Sequence, residues 1–372
     1  MSRKTWPEQA DARSPVRLQP KEPTGYTEGA YPMNLMEHIY LQGMLAKRKR
    51  MLAAQKRLPY PVVSIGNLTV GGTGKTPAAI AVAEEAIRRG YAPVILTRGY
   101  RGKAKGPCFV SAGKGALLGV RDAGDEPVLI AERLPGVPVV KSQDRHAGGQ
   151  FALEHLTDTP YAAQEQPRIL FILDDGFQHW KLARTIDIVL VDGTSPFGNR
   201  RLLPLGPLRE PLSALRRSHL LAITKAPNEP LERELRQLHP QAGLCRAEYS
   251  VHELRASDGN LLPAKALRGQ RVLGFCGIAN PKAFQMTLES LGAETAYFRS
   301  YPDHYVYNLR DVEQLSAAAG RHGCTFLITT EKDLVKLKSL NLPVCVHAVA
   351  IGLSFSPGFF DDLFGRIEKT AG

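Results

Sequence analysis

Short apolar segments recur along the middle of the chain and alternate with segments of helical periodicity. Runs rich in β-branched residues are typical of buried strands, and apolar positions three or four residues apart are typical of helices that cover a sheet. Because the strand segments are almost continuously apolar, the pattern predicts a doubly wound α/β fold with a mostly parallel sheet covered on both faces. The predicted strands are residues 62–65, 93–97, 138–141, 169–173, 186–191 and 220–224, and the clearest predicted helices are residues 78–89 and 126–133.

The alternation is weaker in the C-terminal third of the chain. Residues 242–268 are rich in turn-forming residues and show no regular period, so we expect an irregular connection there. Strand and helix signals then resume, which predicts a second, smaller α/β domain. Its predicted strands are residues 272–276, 326–329 and 344–349, and its predicted helices are residues 281–291 and 309–320.

The N-terminal part of the chain has a different pattern. Its first residues combine several prolines with polar neighbours and have no apolar period, which predicts a disordered tail. Beyond them Met36, Tyr40 and Met44 recur at spacings of four, which predicts an amphipathic helix with a basic second half. The predicted organisation is a polar tail (1–33), an amphipathic basic helix (34–58), a larger α/β domain (59–250) and a smaller α/β domain with its linker (251–372).

Composition narrows the class of protein. With 372 residues, of which 43% are hydrophobic, the chain is long enough for two cores and typical of soluble globular proteins. No segment approaches the ~20 consecutive apolar residues of a membrane-spanning helix, and the N-terminus lacks an apolar signal core, so we expect a cytoplasmic protein. The five cysteines are scattered and form no C-x-x-C pair, which argues against a zinc site or a disulfide framework.

The positive charge of the chain is concentrated in one place. The net charge is +12, and residues 46–60 contain six lysines and arginines and no acidic residue. Such a basic segment suits an anionic partner, which could be nucleic acid, phospholipid headgroups or a phosphorylated substrate.

A glycine-rich segment connects the first predicted strand to a predicted helix. Residues 71–76 read Gly-Gly-Thr-Gly-Lys-Thr, and this sequence between a strand and a helix is typical of a phosphate-binding loop. In such loops the backbone N–H groups surround phosphate oxygens, so Lys75 is expected to reach the β- and γ-phosphates and Thr76 to hold Mg²⁺. The full pattern G-x-x-x-x-G-K-[ST] is not met, because Thr69 stands at its first glycine. The sequence nevertheless predicts binding of a nucleoside triphosphate.

An acidic pair follows the predicted strand 169–173. Asp174 and Asp175 stand where a metal-coordinating carboxylate is expected, at the carboxyl end of a strand beside a phosphate loop. An isolated Asp-Asp-Gly sequence is also typical of a simple turn. In combination with the phosphate loop, we interpret one of the two carboxylates as a ligand of Mg²⁺, directly or through water.

Other polar positions stay open on the sequence alone. Asp125 and Glu126 begin a predicted helix, where acidic residues also occur simply because they favour a helix N-terminus. His304 lies in an aromatic loop, a setting that is also typical of a structural or surface histidine. Lys332 and Asp333 follow a predicted strand and are equally compatible with a solvated helix start.

Residues 224–227 partly match a guanine-recognition motif. They read Thr-Lys-Ala-Pro, which is similar to the [NT]-K-x-D motif of GTPases. The required aspartate is replaced by Pro227, so guanine specificity is unsupported.

Several of these motifs occur together and in one order. Residues 65–77 read Ile-Gly-Asn-Leu-Thr-Val-Gly-Gly-Thr-Gly-Lys-Thr-Pro and residues 174–179 read Asp-Asp-Gly-Phe-Gln-His. With residues 124–127, 208–211, 303–304 and 329–333, they make the chain from about residue 34 onward resemble the tetraacyldisaccharide 4′-kinase family, the lipid A pathway kinases of Gram-negative bacteria. The phosphate loop of that family itself resembles x-V-G-G-[ST]-G-K-T, so Thr69 agrees with it.

The resemblance implies a P-loop NTPase-like fold and a chemical reaction. The reaction is ATP- and Mg²⁺-dependent transfer of the γ-phosphoryl group to the 4′-hydroxyl of tetraacyldisaccharide 1-phosphate, with lipid IVA as the product. By resemblance Asp125 takes the hydroxyl proton, His304 from the second domain orients or tunes it, and Lys75 completes the catalytic set. Glu126 and Glu210 are weaker candidates. The implied nucleotide contacts are Val70, Gly71, Gly72, Thr73, Gly74, Lys75, Thr76 and Arg145, and the implied metal contacts are Thr76, Asp174 and Asp175.

The resemblance also gives the basic helix a partner. A lipid substrate in the inner membrane implies a peripheral protein at the cytoplasmic face, whose lysines and arginines meet anionic headgroups. In this interpretation Met36, Tyr40 and Met44 dip toward acyl chains. The alternative is a helix packed on the kinase domain.

Two other classes of protein remain as alternatives. A phosphate-loop switch would hydrolyse nucleotide slowly to change its binding of a partner and would have no acceptor pocket. An ATPase acting on nucleic acid is suggested only by the basic segment, which lacks the interleaved aromatic residues of single-strand binders. We therefore expect no nucleic acid partner.

Overall fold

The computed structural model describes residues 33–371, and from Asn34 onward they belong to one compact unit. The predicted tail therefore lies almost entirely outside the described residues. The strands are β1 (Val62–Gly66), β2 (Ala92–Thr97), β3 (Cys108–Ala112), β4 (Pro138–Lys141), β5 (Ile169–Asp174), β6 (Ile186–Asp192), β7 (Leu220–Thr224), β8 (Gly243–Ala256), β9 (Leu261–Pro263), β10 (Arg271–Cys276), β11 (Glu294–Ser300), β12 (Phe326–Thr330) and β13 (Val346–Phe355). The helices are α1 (Leu35–Ala53), α2 (Lys75–Arg88), α3 (Val120–Ala123), α4 (Asp125–Arg133), α5 (Arg145–Glu154), α6 (Glu229–Leu238), α7 (Pro281–Ser290), α8 (Leu309–Arg321), α9 (Glu331–Leu337) and α10 (Phe359–Ala371).

The strands form a single sheet in the order β11-β10-β12-β13-β8-β7-β6-β1-β5-β2-β4-β3, with β9 paired to β8. All neighbouring pairs are parallel except β3 with β4, β8 with β13 and β8 with β9. The predicted mixed α/β fold with a mostly parallel sheet is therefore confirmed.

Both faces of the sheet are buried. Val63 of β1 and Ile172 of β5 pack in one apolar cluster with helices α2 and α10, whereas Val62 and Phe171 pack in a cluster on the other face. The side chains of neighbouring residues in a strand point to opposite faces of the sheet, so the side chains on both faces must be apolar. This explains why the strands appear as continuous apolar runs in the sequence.

Strand β8 is where the sequence-based expectation was wrong. Residues 242–268 were expected to be irregular, but Gly243–Ala256 is a 14-residue strand. Its first half pairs in parallel with β7 and its second half pairs antiparallel with β13. Its side chains are largely polar and only partly buried, so the strand is held by pairing with distant segments, which leaves no apolar pattern to detect. The proposed boundary between residues 250 and 251 falls inside this strand, and the division into two domains stays a prediction.

Helix α1 packs on the rest of the fold along one side. Its Glu37 carboxylate accepts hydrogen bonds from the Arg201 guanidinium (2.6 Å) and the Leu202 N–H (3.1 Å). Met44 is buried, and the Tyr40 hydroxyl donates to the Arg209 carbonyl at 2.9 Å. The expectation that Tyr40 and Met44 face acyl chains was therefore wrong, because both are engaged by the protein.

The other side of α1 is apolar and exposed at its N-terminal end. Leu35, Met36 and Ile39 are 73%, 55% and 63% exposed, respectively. Within residues 33–371 no helix is both long enough and apolar enough to span a membrane.

Candidate active site

The segment between β1 and α2 has the geometry of a phosphate-binding loop. The helix starts at Lys75, earlier than the sequence pattern indicated, so Lys75 and Thr76 both lie in its first turn. Gly74 precedes it with a φ of 91°, and a Cβ there would meet the Tyr249 hydroxyl at 2.5 Å, so only glycine fits. Gly71 and Gly72 face open space, since no atom lies within 4 Å of a Cβ built on either. The open space in front of a helix N-terminus is suited to an anion.

Neighbouring segments hold this loop in place. The Val70 N–H donates to the Pro207 carbonyl at 2.8 Å, and the Thr224 hydroxyl donates to the Thr73 carbonyl at 3.1 Å. The loop is therefore fixed through its backbone from two sides.

The polar contacts of the Lys75 ammonium are all long. The ammonium is 3.3 Å from Asn67 Oδ1, 3.4 Å from the Gly71 carbonyl and 3.9 Å from Asp175 Oδ1. These contacts keep the charge at the loop and leave it free to move toward an incoming phosphate.

Asp174 ends strand β5 as a buried carboxylate that lacks a full set of partners. Its side chain is 3% exposed, and its Oδ1 has no hydrogen-bond partner among the described residues. Burial, together with the charges of Glu126 and Asp175, raises the pKa of Asp174 to about 7. A cation at Oδ1 would supply the missing partner and favour the ionised form.

Asp175 is ionised and pairs with the Arg209 guanidinium. It adopts a φ of 52°, and both carboxylate oxygens lie 3.1 Å from Nη1 of Arg209. Burial acts to raise the pKa of Asp175, but the charges of Lys75 and Arg209 outweigh it and lower the pKa.

These residues fit a magnesium ion. Mg²⁺ in kinase sites takes one or two carboxylates and completes its shell with phosphate oxygens and waters. Thr76 and the two aspartates provide such a donor set, with the unpartnered oxygen of Asp174 as its clearest sign. Nowhere in residues 33–371 do three His, Cys, Asp or Glu side chains gather into an all-protein metal cage.

Asp125 and His304 are in direct contact. Nδ1 of His304 lies 2.8 Å from Oδ2 of Asp125, while Oδ1 of Asp125 accepts from the Glu126 N–H at 3.0 Å. Asp125 is 6% exposed at the start of α4, so the N-cap position belongs to Gly124, which has a φ of 97°. His304 also has a positive φ, 61°, and its backbone N–H donates to the Gly277 carbonyl.

The two residues left open at the start of α9 have different environments. Lys332 Nζ lies 3.4 Å from Glu126 Oε1 and 3.7 Å from Asp125 Oδ2. Asp333 is fully buried and accepts from the Gly277 N–H (2.9 Å) and the Thr330 hydroxyl (2.7 Å). Lys332 therefore faces the acidic pair, whereas Asp333 fixes the segment that supports His304.

Arg145 is a buried positive charge at the start of α5. Its Nη1 donates to the Gln143 carbonyl at 3.1 Å, and its Nε has no hydrogen-bond partner among the described residues. Burial and the charge of Arg98 lower the pKa of Arg145 to about 10, against the opposing effect of Asp175 and Asp174. Arg145 thus stays cationic near neutral pH, close to the two carboxylates.

Glu210 is built into the scaffold of the site. It is 1% exposed and is held by Arg217 at 2.9 Å and by Gln178 at 3.1 Å. Gln178 also donates to the Asn67 carbonyl, so Glu210 supports the start of the phosphate loop.

The sequence reasoning did not single out Arg209 or Tyr249. Arg209 lies in the string 208–211 that contributed to the family resemblance, which was the available signal for it. Tyr249 lies on the polar strand β8 and reaches Gly74 only through the folded sheet, so the sequence carried no signal for it.

Known proteins resemble this chain in sequence. Residues 31–368 match the sequence profile of a family described as Tetraacyldisaccharide-1-P 4′-kinase. The chain is 43% identical over 326 residues to a tetraacyldisaccharide 4′-kinase of Anaeromyxobacter dehalogenans, which covers 85% of this chain and 83% of the relative. It is 40% identical over 317 residues to one of Syntrophus aciditrophicus, with 81% and 82% of the two chains covered.

A solved structure has a similar fold. The crystal structure of LpxK from Aquifex aeolicus in complex with ATP superposes with a TM-score of 0.69 at 30% sequence identity. The match covers 89% of this chain and 97% of the other.

Proposed function

The chain belongs to the tetraacyldisaccharide-1-phosphate 4′-kinase family, and we propose that the residues described above carry out the reaction of that family. That reaction moves the γ-phosphoryl group of ATP to the 4′-hydroxyl of tetraacyldisaccharide 1-phosphate and forms lipid IVA. The proposal for the site rests on one spatial relationship. Glu126 follows Asp125 at the start of α4 and its charge acts on Asp174, so the acid pair of α4 is within the range of electrostatic interaction with the carboxylates at the phosphate loop.

ATP is proposed to bind with its phosphates at Gly71–Thr76. The glycines leave the space open, the N-terminus of α2 points its N–H groups toward it, and Lys75 and Arg145 supply positive charge. Thr76, Asp174 and Asp175 would hold Mg²⁺, which neutralises charge on the phosphates when it is bound.

Asp125 is proposed as the base for the acceptor hydroxyl. His304 holds Oδ2 and the Glu126 N–H holds Oδ1, so the carboxylate is fixed before the substrate arrives. Asp125 accepts the proton of the 4′-hydroxyl as the oxygen attacks the γ-phosphorus, while the bond from the γ-phosphorus to the β,γ-bridging oxygen breaks and ADP leaves with that oxygen. His304 orients the carboxylate that carries the proton. Phosphoryl transfer depends mainly on positioning and charge neutralisation, so a fixed base matters more than a strong one.

Water must be kept from the site during transfer. Asp125 lies in the N-terminal part of the chain and His304 in the C-terminal part, so we propose that relative motion of these parts admits the substrates and that closure excludes water. In this proposal the 2.8 Å contact between the two side chains belongs to the closed arrangement.

The acceptor lipid is proposed to reach the site from an anionic membrane surface. Leu35, Met36 and Ile39 of α1 are exposed for acyl chains, and Lys47 and Lys49 follow on the same helix for headgroups. This arrangement corresponds to peripheral attachment at the cytoplasmic face of the inner membrane.

A γ-phosphate transfer assay tests the proposed function. Purified protein is incubated with labelled ATP, Mg²⁺ and tetraacyldisaccharide 1-phosphate in detergent micelles. We expect a labelled lipid product that disappears in Lys75→Ala and persists in Lys114→Ala, which removes an exposed lysine far from the phosphate loop in sequence. Hydrolysis of ATP without labelled lipid would contradict the proposal and would favour a switch protein or, if DNA stimulates it, a nucleic-acid-dependent ATPase.

A further inference from the structure

The acidic pair at the start of α4 has a cationic neighbour that the proposed mechanism does not use. Nζ of Lys332 lies between Asp125 and Glu126, 3.7 Å from Oδ2 of the first and 3.4 Å from Oε1 of the second. Its side chain is 21% exposed, so its charge is only partly screened by solvent.

The groups that face Asp125 come from three segments. Helix α4 contributes Glu126, and helix α9 contributes Lys332. The segment before α8 contributes His304, whose Nε2 lies 3.8 Å from Oδ2 of Asp303. Glu126 and Asp303 carry carboxylates, and Lys332 carries an ammonium. Lys332 is therefore the permanent positive charge of this group. Burial acts to lower the pKa of Lys332, but Glu126, Asp125 and Asp303 outweigh it, so the pKa is raised and the ammonium stays charged.

Other ion pairs attach the α9 segment to α4. Arg133 at the end of α4 is paired with Glu331 at 2.9 Å, and Glu132 is paired with Lys338 at 2.8 Å. The first ion pair joins the two helices, and the second joins α4 to the C-cap residue of α9. The position of Lys332 is thus better explained by the charges that it faces than by attachment of the helices.

We propose that Lys332 is a positioning residue for phosphoryl transfer, whose ammonium attracts the Asp125 carboxylate and holds it oriented toward the acceptor hydroxyl. The inference rests on the proposed function, since it concerns the same base. An opposite charge within about 4–6 Å stabilises the ionised form of a carboxylate. Lys332 supplies that charge from α9, independently of the segment that carries His304.

The pH profile of the full-length enzyme tests the proposal. In Lys332→Met we expect the acid limb of kcat/KM for the lipid to move up by about one pH unit, the lower end of the effect of a neighbouring cation on an aspartate. We expect kcat to fall by about tenfold because the base is less well oriented. The KM for ATP should stay within about twofold, since the carboxylates that Lys332 faces, Asp125 and Glu126, lie outside the phosphate loop. Lys332→Arg, which keeps the charge, should retain the position of the acid limb.

Lys338→Met is the matched control. It also removes a lysine of this segment that pairs with α4, but the acid that it leaves unpaired is Glu132. Movement of the limb in Lys332→Met and not in Lys338→Met supports the proposal. An unmoved limb in Lys332→Met, or equal movement in both variants, overturns it. Should Lys332→Met fail to fold, Lys332→Gln takes its place and the same criteria apply.

The test separates this inference from the proposed function. If the wild-type enzyme labels no lipid, the proposed function fails. If the wild-type enzyme labels lipid and Asp125→Asn does not, while the Lys332 variants keep the wild-type profile, only the inference about Lys332 fails.

Discussion

Nδ1 of His304 lies 2.8 Å from Oδ2 of Asp125, although 179 positions of the chain separate the two residues. Each is held by its own part of the fold. Asp125 begins α4 directly after Gly124, where an added Cβ would lie only 2.6 Å from the Tyr100 carbonyl oxygen. The backbone N–H of His304 donates to the Gly277 carbonyl, and the Gly277 N–H donates in turn to the Asp333 carboxylate. The pair is therefore a product of the tertiary structure and not of a local motif.

Asp174 gives a prediction about magnesium. Asp174→Asn removes the charge beside the unpartnered oxygen, so we expect kcat to fall by about 10²-fold or more. Even mutation of residues that only hydrogen-bond to a metal ligand lowers metal affinity or activity by about 10–100-fold. The Mg²⁺ concentration for half-maximal rate should rise, and a chelator should abolish transfer by the wild-type enzyme. Asp362→Asn, which breaks a pair with Arg366 on α10, is the control. Unchanged magnesium dependence in Asp174→Asn would show that this carboxylate does not bind the metal.

The exposed end of α1 gives a prediction about membranes. Leu35→Ser combined with Ile39→Ser should reduce co-sedimentation with anionic vesicles, because both side chains are exposed and apolar. Ile87→Ser, on the exposed side of α2, is the control. Point substitutions are better than truncation before Pro59, which would also remove the buried Met44. Equal sedimentation of all three proteins would favour a helix that serves only to pack on the kinase.

The charge of Lys47 and Lys49 should add to this membrane binding. Their replacement by glutamate should weaken sedimentation at low salt and have little effect at high salt, because the attraction to headgroups is screened within a Debye length. Salt-independent binding of the wild-type enzyme would contradict an electrostatic contribution.

Asp144 gives a prediction about stability. Its carboxylate caps α5 through the N–H groups of His146 (3.1 Å) and Ala147 (3.3 Å) and pairs with Lys181. Asp144→Ala should lower the free energy of unfolding by about 1 kcal/mol near neutral pH, the usual value of such a cap. Asp158→Ala, an exposed aspartate, should have little effect.

The effect of Asp144 should depend on pH. Burial acts to raise the pKa of Asp144, but Lys181 and the capped N–H groups outweigh it and lower the pKa. A lowered pKa means that the contribution is complete above the ordinary value near 4 and is lost as the pH falls below it. Urea unfolding at about pH 7 and about pH 3 should therefore show a difference between Asp144→Ala and wild type that shrinks in acid. A difference of the same size at both pH values would show that the charge of Asp144 is not involved.

The sequence predicted the parts of the fold that rest on local patterns. The strands from β1 to β7 that are buried on both faces are mostly apolar, and Gly90, with a φ of 76°, follows the C-cap residue Arg89 of α2, where glycine is common. Strands β3 and β11 were missed because they carry mixed residues and are only partly buried at the two edges of the sheet. Strand β8 was missed because its stability comes from pairing with β7 and β13.

The candidate site was predictable only in part. The phosphate loop follows strand β1 and Asp174 ends strand β5, so their positions can be derived from the local pattern. Asp125 and His304 were selected through the resemblance to a family, since nothing in their local sequences distinguishes them from a helix start and a surface loop. The role of Lys332 could not be decided before α9 was placed against α4.

A double-mutant cycle on kcat for lipid phosphorylation tests the central claim most directly. Asp125→Asn and His304→Ala should each lower kcat by about 10²-fold or more, the usual scale for general-base groups, while His252→Ala on β8 should not. If the two residues act as one unit, the kcat of the double variant should be about the same as that of the slower single variant. A double variant whose loss is the product of the two single losses, or near-normal turnover in both single variants, would contradict the claim that Asp125 and His304 form the base of this kinase.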